Sequence, residues 1–208
     1  MAPQFYLDNQ RVAVALEKIL NHEQESSIWL WQLIATAELP RSDGWFFSYM
    51  GFESQSIRVT HMARKWFQPT SDEFQPIRYK RNYLVVIAWP HHLYEFGKHH
   101  RFEYDAREAI LQVMTCGCHD TIGDFNLICA AVSELCVSFW EWSGRQFGMP
   151  SLTGLHVEDP ETGENCNGAL HIVNDAGKVH TVLQYIKHRA ESLVDQDGID
   201  VHCPGAGT

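Results

Sequence analysis

Residues 82–90, NYLVVIAWP, constrain the fold more than any other stretch of the chain. Leu84, Val85, Val86 and Ile87 are consecutive and mostly β-branched, which suits a buried strand, and Pro90 cannot continue its ladder. The run falls far short of the roughly 18 apolar residues that suggest a membrane span, so it predicts a strand inside a folded core. GWFFSYMGF (44–52) reads as an aromatic-rich second strand. SIRVTHM (56–62) alternates Ile57, Val59 and His61 with polar neighbours and offers a strand partner. A helix over 55–67 remains open there, because Ile57, His61 and Arg64 also share a helical face.

Helical periodicity accounts for most of the rest. Asp8 or Asn9 can cap a helix carrying Val12, Val14, Leu16, Ile19 and Leu20 on a rough helical face. Ser26 or Ser27 can cap IWLWQLIATAEL, which is apolar nearly all round and so belongs at the centre of the core. DAREAILQVM (105–114) predicts a third helix with Ile110, Leu111 and Met114 buried. In DTIGDFNLICAAVSELCVSFWEW (120–142), Phe125, Cys129, Val132, Cys136 and Phe139 recur at spacings of four and three, the signature of a helical seam. Residues 154–177 predict a hairpin around an acidic turn, and 178–194 a last helix with Val182, Ile186, Ala190 and Leu193 inward. These elements add up to an α+β fold: a single mixed domain over 1–208 with a helical centre at about 104–148. That centre packs with a small antiparallel sheet, and 195–208 form a flexible C-terminal tail.

Composition narrows the function classes. An apolar fraction of 45% against 20% charged residues suits a folded chain, and seven Trp and eleven Phe call for a shape-specific core. The net charge of −10 is unevenly spread: residues 1–110 carry 12 Lys+Arg against 13 Asp+Glu, and residues 111–208 carry 4 against 13. An acidic surface of this kind suits a protein partner with a basic surface, and argues against direct DNA binding and against an anionic membrane. Met1-Ala-Pro-Gln lacks the features of a secretory leader, and Cys129 and Cys136 fall in an apolar pattern typical of reduced core thiols. The chain therefore reads as soluble, reduced and cytoplasmic.

The densest chemistry is MTCGCHD (114–120). Cys118 precedes an expected helix start, where a thiol can be activated, with Cys116, His119 and Asp120 beside it and His171 or His180 as distant partners. The competing reading makes Gly117 a helix stop and Asp120 the next N-cap. The Cys-x-Cys spacing is too tight for the usual zinc knuckle, and no cofactor is expected, zinc being the metal that a site here with distant His or Cys residues would take. His91, His92, His99 and His100 in PHHLYEFGKHH are further metal candidates, without the i, i+4 spacing of a helical pair. Arg78, Lys80, Arg81, Lys98 and Arg101 lie near them in sequence and suggest a basic, solvated surface instead.

Glu158, Asp159, Glu161 and Glu164, with Asp195, Asp197 and Asp200, are the candidate partner-binding carboxylates; neither stretch has the order of a calcium-binding EF-hand loop. Glycine-rich phosphate loops, the G-x-S-x-G elbow and kinase and deaminase signatures are all absent from the sequence. Three function classes follow. The first is a small acidic protein-binding module, of inhibitor or immunity type, that occupies a basic surface such as a nucleic-acid-binding one. The second is a cysteine- or metal-dependent hydrolase or transferase using Cys116 or Cys118 with His119, His171 or His180. In the third, a small-ligand sensor, the aromatics of WLWQL, WFFSY and FWEW would line a pocket.

Overall fold

A computed structural model of the chain describes residues 6–21, 27–50, 58–68, 77–88, 99–116, 127–143, 151–160 and 162–196. The apolar run 84–87 lies in a long strand, β3 (Ile77–Ala88), preceded by β1 (Trp45–Met50) and β2 (Arg58–Gln68). After it come β4 (Leu127–Ser133), β5 (Cys136–Ser143), β6 (Ser151–Gly154) and β7 (Ala169–His171). The helices are α1 (Gln10–Leu20), α2 (Ser27–Glu38), α3 (His99–Cys116) and α4 (Ala176–Gln196). All seven strands form one sheet in the order β1-β2-β3-β4-β5-β6. The short strand β7 pairs with the Cys136–Ser138 end of β5, and β6 with its Trp140–Ser143 end.

The α+β class holds, but the sheet is neither small nor antiparallel throughout. Strands β3 and β4 are parallel, from Leu84 opposite Ile128 to Ala88 opposite Val132. Parallel neighbours need a crossover connection, and α3 lies within the one between them. The central strands are consequently covered on both faces. Leu84, Val86, Ile128, Ala130, Val132, Val137 and Phe139 share a core with α1, α2 and α4. Val85, Ile87, Leu127, Cys129 and Ala131 share the other with Phe102, Ala106, Ile110 and Val113 of α3.

This double burial corrects the helical centre. Within 104–148 only α3 is helical among the described residues, and the expected second helix is the β4–β5 hairpin. Every residue of β4 is buried, so the period-two alternation that would betray a strand is missing. Ser133 and Cys136 face each other across a two-residue turn, Glu134–Leu135, with Glu134 at φ 50°. Tight hairpins demand positive φ, and normally use Gly or Asn for it; SELC carries no such signal.

The outer elements follow the sequence more closely. Asn9 caps α1, its side chain accepting the Arg11 N–H at 3.0 Å, and Val12, Ala15, Leu16 and Ile19 form the buried stripe. The described part of the 56–62 segment, from Arg58 on, is strand within the longer β2, and the helical alternative is set aside there. Helix α4 continues through Asp195 to Gln196, so the expected tail does not begin at 195. Of the aromatics proposed to line a pocket, Trp31, Trp45, Phe139 and Trp142 are core: Trp31 and Trp45 are 1% exposed, and Trp31 meets Phe139 edge-on at 6.3 Å, whereas Trp29 is exposed.

Candidate functional site

Helix α4 has two stripes. Val179, Val182, Leu183, Ile186 and Ala190 are buried against the sheet and α2. Gly177, His180, Thr181, Gln184, Tyr185 and His188, at helical spacing, line one wall of a cleft of about 440 Å³. Val157, Glu158, Asp159 and Pro160 form the other wall.

That second wall is built by the acidic turn. Glu158 and Asn165 form an isolated antiparallel bridge, closed by Asp159 N–H to Glu164 O and Cys166 N–H to Val157 O at 2.8 and 2.7 Å. Inside the turn Asp159 Oδ1 accepts the Thr162 N–H at 3.2 Å, and Gly163 takes φ +70°, where a side chain would be strained. Lys178 at the start of α4 clamps the turn through Glu164 at 2.9 Å, and that carboxylate raises the Lys178 pKa. The predicted hairpin is thus present as a short bridged turn leading into β7.

Behind the cleft lies a buried carboxylate. Glu38, at the end of α2, has a side chain only 6% exposed. It accepts the Tyr6 N–H at 3.1 Å and the Gln184 Nε2–H at 2.9 Å, and its Oε2 lies 2.8 Å from His180 Nδ1. Tyr6 in turn donates its hydroxyl to the Ile172 carbonyl. Burial, with the charges of Glu38 and then Asp175, pushes the Tyr6 hydroxyl well above its ordinary pKa. A buried charge is tolerated only when paired and hydrogen-bonded, and Glu38 meets that condition by tying the N-terminal segment to α2 and α4.

The sequence-predicted residues are scattered by the fold. His180 reaches the cleft, whereas His171 closes the turn before α4. His171 Nδ1 accepts the Val173 and Asn174 N–H groups at 3.2 and 3.3 Å, and its own N–H goes to Asp175 at 2.8 Å, a fastening role. Of the acidic set, Glu158 and Asp159 line the cleft, Glu164 holds Lys178, and Asp195 sits in the last turn of α4. Cys116 is the last residue of α3, and His99 and His100 are its first two. Cys118, His119, Asp120, His91, His92, Glu161, Asp197 and Asp200 lie outside the described residues.

The thiols that are described are poor nucleophiles. Cys129 is fully buried, and burial raises the pKa of both Cys136 and Cys166, with Glu134 and Asp159 adding to it. Among the described residues, no group of three His, Cys, Asp or Glu side chains is placed to hold a metal ion. Among them, too, no helix is long and apolar enough to cross a membrane.

Glu38, Gln184, Tyr185 and His188 are the residues that sequence reasoning missed. One signal did exist: Glu38 is the only charged residue in α2, a helix otherwise apolar nearly all round. No protein-family model, curated protein or solved structure matches this chain.

Proposed function

We propose that the chain is an acidic protein-binding module, of inhibitor or immunity type, that acts in the cytoplasm by occupying a basic surface of a partner protein. The cleft between the acidic turn and α4 is its docking point. One observation carries the reading. Residues 111–208 hold four Lys+Arg, and three of them are tied to carboxylates: Lys178 to Glu164, Lys187 to Asp43 and Arg189 to Glu141, at 2.8–2.9 Å. With those cations engaged, Glu158, exposed, and Asp159, half-buried, stand at a cleft that His180 and His188 share. Low-dielectric walls focus such a field and speed encounter with a cation-rich surface.

Calorimetric titration with a short oligolysine peptide, at low and at physiological salt, tests it. The double variant Glu158→Gln/Asp159→Asn should weaken binding about tenfold at low salt, while Glu17→Gln/Glu108→Gln, remote on α1 and α3, should change it little. Equal losses from both pairs, or binding indifferent to salt, would overturn the cleft as the docking point.

A second reading, the cysteine- or metal-dependent hydrolase or transferase using Cys116 or Cys118 with His119, His171 or His180, draws on one contact, Glu38 beside His180 at the cleft. A carboxylate so placed can orient a histidine base. Alkylation separates the two: one cysteine reacting far faster than a free thiol at neutral pH supports the enzyme, and uniformly slow reaction removes it.

A further inference from the structure

The hydrogen bonds of α4 fix which atoms its side chains bring to the cleft as acceptors. His188 Nδ1 lies 2.8 Å from the Gln184 carbonyl oxygen, which can only accept, so the ring carries its proton on Nδ1. His180 Nδ1 lies 2.8 Å from the Glu38 carboxylate and is fixed in the same tautomer. Each neutral imidazole then has its lone pair on Nε2. Gln184 gives its Nε2–H to that carboxylate at 2.9 Å, which makes Oε1 the remaining end of the amide. One wall of the cleft thus carries three acceptor side chains, and the other carries the carboxylates of Glu158 and Asp159.

Such a set has a narrow range of complements. No Lys or Arg is among the described residues lining the cleft, so an anion would meet two carboxylates with no cation to hold it. A metal ion needs ligands that converge on one point. His180 and His188 stand eight residues apart, about 12 Å along the helix, too far to share one. Lysine is a cation, but it concentrates charge at a strongly hydrated point, which walls bearing Val157, Pro160 and Tyr185 serve poorly. Arginine spreads its N–H donors around a flat, weakly hydrated fork that has no acceptor and stacks on aromatic rings. Tyr185, 37% exposed, supplies such a ring at the cleft.

We propose that the cleft is a guanidinium site, receiving an arginine side chain from the partner's basic surface. The carboxylates of the acidic turn and the acceptors of α4 take its N–H groups, and its aliphatic stem lies along Val157, Pro160 and the Tyr185 ring. The volume of about 440 Å³ falls within the range of about 300–1,000 Å³ that encloses a whole ligand, so the side chain enters with its neighbouring backbone. Glu38 acts here as a positioning residue: it holds His180 and Gln184 from behind, with their donors engaged. This inference rests on the reading of the cleft as the docking point and adds to it a choice between the two basic side chains.

Calorimetric titration of the full chain with oligoarginine and oligolysine of equal length separates the two claims. At physiological salt oligoarginine should bind at least about tenfold tighter. Glu158→Gln/Asp159→Asn should weaken both peptides alike, because opposite charge attracts either. Tyr185→Leu/His188→Leu removes the ring and one acceptor while leaving the carboxylates in place. It should bring oligoarginine to within about twofold of oligolysine and leave oligolysine unchanged. Both side chains are exposed, and circular dichroism confirms that the variant is folded.

Equal affinity of the native chain for the two peptides overturns the guanidinium site and leaves the docking point standing. Binding of neither peptide, at low salt as well, overturns the docking point and the guanidinium site with it. A preference for oligoarginine that survives Tyr185→Leu/His188→Leu shows that arginine is read elsewhere on the surface, and overturns the site as well.

Discussion

Truncating Glu38 to alanine tests whether the buried carboxylate holds the molecule together behind the cleft. The substitution deletes an acceptor of two hydrogen bonds, from Tyr6 N–H at 3.1 Å and Gln184 Nε2–H at 2.9 Å, and the 2.8 Å contact to His180. The Tyr6 N–H is left buried without that acceptor, a loss of about 1–3 kcal/mol, and the Gln184 bond to a charged group adds about 1 kcal/mol. Relief of the carboxylate's own desolvation penalty offsets part of this sum of about 2–4 kcal/mol, giving a net loss of about 2 kcal/mol. Glu38→Gln keeps an oxygen for Tyr6 and loses the charge, and should cost about half as much.

Urea unfolding at neutral pH, followed by circular dichroism, reads the difference as a lowered midpoint at unchanged slope; with slopes of about 2–3 kcal/mol per molar, the alanine variant shifts by about 1 M. His180→Ala should cost less in the Glu38→Ala background than in the native one, by about 1 kcal/mol of coupling. A Glu38→Ala protein within about 0.5 kcal/mol of the native chain would refute the reasoning, because a buried carboxylate with real partners cannot be removed so cheaply.

Two further perturbations probe the frame around the sites. The Tyr6 hydroxyl is raised from its ordinary 10.0, so the folded state keeps its proton where the unfolded state has released it. The stability Tyr6 supplies is complete below about pH 10 and declines as pH rises beyond it, so the advantage of the native chain over Tyr6→Phe should shrink there by up to about 1.4 kcal/mol per pH unit. Parallel stability curves for the two proteins between neutral and strongly alkaline pH would contradict this. At the β4–β5 turn, Glu134 holds φ 50°, and Glu134→Gly should raise stability by about 0.5 kcal/mol through relief of a conformation that glycine adopts without cost. A lower unfolding midpoint for that variant would show that the Glu134 side chain matters more than its backbone.

The elements with clear local signals were legible, and the misreading has a physical cause. Asn9 announces α1, and the β-branched run 84–87 announces β3, because a side-chain acceptor and branched side chains act within a few residues. Leu127–Ser133 gives no local signal that separates strand from helix, since a position buried on both faces is apolar whatever its period. Nor does the turn at Glu134–Leu135 advertise itself, lacking the residues that positive φ normally requires. At the candidate site, the acidic turn was readable from Glu158 to Glu164, and His180 was singled out. Its partner Glu38 lies 142 positions away, so only folding joins them.

The sequence by itself determined the α+β character, the two strongest elements and the charge division between its halves, because composition and periodicity are properties of neighbouring residues. The tertiary structure decided how those charges are deployed. Ion pairs across α4 engage three of the four cations of the acidic half, and the pairing of β2 with β3 brings six of the twelve cations of the other half onto one hairpin. Net charge sums over the chain without regard to position, whereas an electrostatic field depends on distance, and only the fold sets the distances.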